Sequence, residues 1–212
     1  SGQDGLNPSP APSAVCYVAG TRILTPTGEV PIEDLVVGSL VVTQDHGPQP
    51  ILWIGDKTVR MSEATIPVRI KRNALGDGFP KRDLLVSQQH RILVRSRIVK
   101  RMTNTTEIFV TAIKLIGAPG IDLEKRGRSV RYIHFLCDRH EVVFAEGAPS
   151  ESLLPGRNAL EIMGKEARCG LIEIFPDLES EAYQAIPARL VPKGPKLRNL
   201  VARHKQNNQG FI

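Results

Sequence analysis

Ala14-Val15-Cys16-Tyr17-Val18-Ala19-Gly20-Thr21-Arg22-Ile23 sets a cysteine-led apolar strand and a Gly-Thr turn directly behind a stretch with almost nothing to bury. Residues 1–15 are rich in Gly, Pro, Ser and Ala, as in Asn7-Pro8-Ser9-Pro10-Ala11-Pro12-Ser13-Ala14. Such composition gives an extended or disordered linker, so order is expected to begin at Cys16.

Outward from that point the pattern is one of short strands and tight turns. Gly20 to Thr25 reads as a strand, Pro26-Thr27-Gly28-Glu29 as a hairpin turn, and Val30-Pro31-Ile32 as a return strand whose proline marks an edge. Ile32 to Gly38 reads as one helical turn ended by glycine, Ser39 to Thr43 as a strand, Gln44 to Gln49 as a Gly/Pro turn and Pro50 to Gly55 as the next strand. Thr65 to Lys71, Asp83 to Val86, Arg91 to Val94, Ile108 to Val110, Ser129 to Leu136 and Glu141 to Ala145 complete the strands, with a short helical turn at Ala112 to Leu115. Turn signals at intervals of about eight to twelve residues predict an all-β architecture.

Composition agrees. Of 212 residues 41% are hydrophobic but only 5% aromatic, so the core must come from Val, Ile and Leu, which favours sheet. One body over 16–156 and an appendage over 157–212 are expected. The appendage is partly helical, with helical propensity at 157–164, 179–185 and 196–205, and residues 206–212 are expected to fray. The formal charge of +6 is spread over several clusters and the tail, with no Arg/Lys run interleaved with aromatics, so no nucleic-acid partner is read from it. No apolar run reaches the roughly 18 residues of a membrane span. The compartment stays open, a secreted or cell-surface context for the full-length protein included. The chain is expected to act as a monomer.

Three cysteines, Cys16, Cys137 and Cys169, form an odd set without C-x-x-C spacing, which argues against a zinc site or a disulfide framework. Cys137 lies in an apolar strand and reads as core. His46, His134 and His204 have no usable spacing, and Trp53 reads as core. Cys16 has a chemical context. A thiol following a peptide bond can attack the carbonyl of the preceding residue, here Val15, through a five-membered ring, so proximity is built into the covalent structure. The step further needs activation of the thiol, donors for the oxyanion and an acid for the departing amine. Leu85-Val86-Ser87-Gln88-Gln89-His90-Arg91-Ile92 offers His90 for the proton, and Ser87 to hold the peptide.

Cys16 to Gly28 followed by Val30-Pro31-Ile32-Glu33-Asp34-Leu35 and Gly38 resembles the opening block of the Hint superfamily, shared by inteins and hedgehog autoprocessing domains. Asp83 to Val94 and Asp138 to Ser152 are similar to later blocks of its bacterial, non-splicing branch. The resemblance implies a flat, horseshoe-like all-β fold over about 16–156 and autocatalytic cleavage at Val15-Cys16, with no cofactor and no metal. It implies Cys16 as nucleophile, His90 as the histidine that protonates the leaving amine, Ser87 where the family usually has Thr, and His140 with Asp138 as assisting residues. Their alternative is a loop ion pair of Asp138 with Arg139 or Arg131.

The departures matter as much. No His-Asn pair stands near residue 150, which argues against full splicing, and Ala112-Ile113-Lys114-Leu115 replaces the acidic stretch of hedgehog domains, which argues against sterol transfer. The expectation that remains is an N-to-S acyl shift giving a thioester, then N-terminal cleavage by hydrolysis or by transfer to an external nucleophile. The flanking segment of the chain itself is then the substrate. The alternative is a degenerate fold kept as an interaction or structural module.

Overall fold

The computed structural model describes residues 15–212 apart from 163–164 and 181–182. Its strands are β1 (Tyr17–Val18), β2 (Arg22–Thr25), β3 (Gly28–Pro31), β4 (Leu40–Thr43), β5 (Gly47–Pro50), β6 (Trp53–Arg60), β7 (Val68–Ile70), β8 (Leu84–Val86), β9 (Arg91–Arg95), β10 (Glu107–Thr111), β11 (Ile121–Leu123), β12 (Ser129–Leu136), β13 (Val142–Ala145) and β14 (Ala148–Glu151). The helices are α1 (Arg97–Thr103), α2 (Ala112–Leu115), α3 (Arg157–Ile162), α4 (Lys165–Ile174) and α5 (Gly194–Gln206). The all-β class read from the sequence is the class observed, with a partly helical C-terminal extension.

One sheet runs β11-β7-β8-β1-β12-β6. The other runs β10-β9-β14-β13-β2-β3, with β4 pairing to β13 and carrying β5. The strands of both sheets pair antiparallel with one another, and β2/β3, β4/β5 and β13/β14 are hairpins closed by short turns. The β2/β3 hairpin closes at Thr25↔Gly28, with Gly28 at φ 121°, a region glycine enters without steric cost. Pro31, which has no N–H to donate, ends β3 at the sheet edge. The main core joins Val, Ile and Leu residues of both sheets, among them Ile23, Val68, Ile70, Val86, Ile92 and Val143, with Tyr17 and Phe135.

Four expectations need correction. The segment 44–49 is less turn than strand: the turn is confined to 44–46, and Gly47–Pro50 pairs with β4. Pro149 conceals β14, which pairs with β13 from Ala148 to Glu151; because β9 meets it only at Ser150↔Ile92, the missing N–H is tolerated. The helical segment at 179–185 is instead a 3-10 turn at Pro176–Glu179 followed by irregular chain from 183, residues 181–182 lying outside the described residues. Residues 206–212 do not fray. Phe211 is buried and stacks on His204, Arg95 N–H donates to its carbonyl at 2.7 Å, and the N–H groups of Phe211 and Ile212 donate to Leu75 O. The expected linker at 1–14 lies outside the described residues.

The extension contributes to the main core and to a smaller one, and its Ala188 and Val191 pack on Leu93, Phe109 and Val142. Leu197, Leu200 and Val201 of α5 belong to the main core, as does Phe211. Leu136 and Leu153 form a smaller one with Ala159, Leu160, Leu171 and Leu178 of the extension.

Candidate active site

Two residues long, β1 lies between β8 and β12, and its register assembles the site. Tyr17 is opposite Val86 on one side and Ile133 on the other, so one step back along both ladders Ser87 and His134 flank Cys16. The Cys16 N–H donates to Ser87 Oγ at 3.0 Å, and Ser87 N–H donates back to Cys16 O at 2.9 Å. Cys16 Sγ lies 3.1 Å from Nδ1 of His134. The thiol is only 2% exposed, and burial pushes it up to about 12. Burial also drives His134 down to about 4, against a weaker pull from Asp56. At neutral pH the pair therefore rests as a thiol facing an uncharged imidazole.

Trp53 holds that imidazole from behind, its ring stacked on His134 with centroids 5.0 Å apart and planes 19° apart. Gly55, directly opposite His134 on β6, makes this possible: a Cβ there would fall 2.6 Å from the Trp53 ring. Side chains alternate across a strand, so Tyr17 points into the main core, where the His90 ring lies 4.3 Å from its own. His90 is fully buried, and neither ring nitrogen has a hydrogen-bond partner among the described residues. Burial lowers it to about 3; nearby Arg91 and His140 add to that, and the Cys16 backbone works the other way.

Behind Tyr17 lies a buried polar network. The Tyr17 hydroxyl donates to Glu151 O at 2.9 Å and lies 2.7 Å from Ser150 Oγ. The Glu151 carboxylate takes the Arg91 N–H at 2.8 Å, Arg91 Nη1 at 3.0 Å and His140 Nε2 at 2.9 Å. Ala188 N–H donates to His140 Nδ1 at 3.0 Å, so the ring proton sits on Nε2, facing Glu151.

The structure thus brings Cys16, Ser87 and His90 together and leaves two other candidates apart. Both nitrogens of His140 are engaged, by Glu151 and Ala188, which leaves it none for the thiol. Asp138 is exposed and pairs with Arg139 at 3.6 Å. His134, Trp53 and Glu151 are site residues that the sequence alone does not single out. Alternation along β12 does put His134 on the face of Val130 and Tyr132, which pack with Cys16, but the signal appears only once β12 is known to pair with β1. No group of three or more His, Cys, Asp or Glu that could hold a metal ion occurs among the described residues, and no helix there is long and apolar enough to cross a membrane.

A family model described as a Hint domain matches residues 15–157, beginning at the residue before the thiol. The chain belongs to the Hint domain family. Among solved structures, a bacterial intein-like domain from Clostridium thermocellum is similar over 65% of this Hint protein and 97% of its own chain, at 20% identity and a TM-score of 0.45. The MchDnaB-1 intein is similar over 63% and 98%, at 13% identity and 0.41, and the gp41-1 intein over 64% and 97%, at 14% and 0.39. No curated protein matches the chain.

The buried histidines make this Hint domain acid-sensitive. His90 and His134 bind protons more weakly folded, at about 3 and about 4, than at the unfolded value of 6.5. Their stabilising effect is complete above pH 6.5 and is lost as pH falls toward 4, each adding a slope of about 1.4 kcal/mol per pH unit in that window. Urea midpoints measured from pH 7.5 to 4.5 should fall steadily; a flat series would contradict the burial of these rings.

Proposed function

We propose that this domain cleaves its own chain at Val15-Cys16 by an N-to-S acyl shift, followed by hydrolysis or transfer to an external nucleophile, without splicing. The observation that supports it is the disposition of polar atoms around one peptide unit, with Ser87 Oγ on the Cys16 nitrogen and His134 Nδ1 on its sulfur. In this reading His134 accepts the thiol proton as Sγ attacks the Val15 carbonyl carbon, giving a five-membered tetrahedral intermediate. The C–N bond then breaks, the C–S bond remains, and the Cys16 nitrogen becomes an amine. One hydrogen leaves sulfur and one reaches nitrogen, so no external proton is consumed. His90, buried beside the Cys16 backbone and protonated from solvent, gives a proton to the leaving nitrogen while His134 returns its own to solvent, and Ser87 keeps that nitrogen in line. Because His90 is uncharged at rest and must first take up a proton, the shift is slow at neutral pH.

The burial of the thiol favours a second reading, a fold retained as a structural module with its peptide bond intact. Hydroxylamine separates the two, since it captures thioesters and leaves ordinary amides alone. Intact mass after incubation at pH 7.5 should show residues 1–15 released as the Val15 hydroxamate. An unchanged mass after days at 37 °C would leave the module reading standing.

A further inference from the structure

Val15, whose carbonyl is the proposed acyl group, is partly buried against the smaller apolar cluster, where Trp53 and Leu52 also pack. Within that cluster Ala159, Leu160, Leu171 and Leu178 lie beyond the family match, which ends at 157. The cluster against which the residue before the thiol packs is therefore built largely by this chain's own extension. Trp53 is shared between this cluster and the stack on His134, so the cluster is continuous with the group that faces Cys16 Sγ.

We infer that the extension forms a side-chain pocket for the residue preceding Cys16, one that selects a medium-sized aliphatic side chain and fixes the acyl carbonyl beside the thiol. The inference rests on the processing reading for its consequence in catalysis, and on packing alone for the pocket itself. An aliphatic side chain gains by leaving water for this site, whereas a carboxylate would lose its hydration there. Filling the pocket also removes rotational freedom from the scissile carbonyl, which accelerates attack. One methylene more or less in such a site is worth roughly 10- to 200-fold in discrimination.

Two measurements test it. In an uncleavable Cys16→Ala background, Val15→Ala is combined with Leu171→Ala and, separately, with Leu160→Ala, and melting temperatures are compared. A shared pocket gives non-additive shifts of about 2 °C or more in at least one cycle; additivity in both overturns the pocket. With Cys16 present, hydroxylamine-driven release is measured for Val15, Val15→Phe and Val15→Asp on the native and Leu171→Ala walls. Intrinsic reactivity cancels in the ratio between walls. The native wall should favour Val over Phe, the widened wall should shift that ratio toward Phe by about 10-fold or more, and Asp should be slow on both. Ratios unchanged by the wall overturn the selectivity. Thermal coupling without release from any variant would uphold the pocket and sink the processing reading instead.

Discussion

Exposed to hydroxylamine under conditions that release residues 1–15 from the wild type, Cys16→Ala is expected to keep its full mass indefinitely. Only the thiol following the bond reaches the Val15 carbonyl through a five-membered ring, and no other described cysteine substitutes: Cys137 is in the main core and Cys169 is exposed in α4. Removing His134 should be a graded rather than absolute loss. His134→Ala takes away the acceptor 3.1 Å from the sulfur, and a positioned base contributes about 10²- to 10⁴-fold. Raising the pH should restore part of that rate, because a thiol pushed up to about 12 gains thiolate in proportion to hydroxide. Release from Cys16→Ala at the wild-type rate would mean ordinary proteolysis and would end the processing account.

The largest stability effect is expected at Glu151. Its carboxylate is fully buried and receives three donors, from the Arg91 backbone, Arg91 Nη1 and His140 Nε2. Glu151→Ala leaves the partly buried Arg91 charge and the His140 N–H without their acceptor, a loss of about 3–5 kcal/mol for a broken buried pair. For a chain of this length that lowers the melting temperature by roughly 10 °C. Glu151→Gln keeps the shape and one acceptor and should cost less than half as much. Equal melting temperatures for Glu151→Ala and wild type would show that the network contributes nothing.

What is legible in the sequence is local. The strand over Ser129 to Leu136, the Pro26-Thr27 turn and the proline that ends β3 are each decided by neighbouring residues, and each is observed. The partnership of Cys16 with Ser87, 71 positions apart, is open to reading only through the chemistry a Ser-x-x-His segment offers a cysteine and through the resemblance to the Hint blocks. The partnership of Cys16 with His134 spans 118 positions and depends on which strands meet, which no local pattern states. Arg97 to Thr103 escapes a sequence reading for another reason. The helix is short and its charged residues outnumber the two buried ones, Ile98 and Val99, so its stability comes from the Ser96 cap and from the bond of Ser96 Oγ to His204 at 2.8 Å. Residues 206–212 read as a loose polar end because Phe211 is a single anchor, and one residue makes no period.

The position of β1 governs the fate of the domain after any break at Val15-Cys16. Held on both edges by β8 and β12, the two-residue strand stays in the sheet when the chain ahead of it is gone. The fresh terminus would then be a 1,2-aminothiol moored in a folded body, able to capture an incoming thioester and rebuild an amide. On the processing reading proposed above, such a domain would be a ligation handle as well as a cutter, open to a new leader after losing its first.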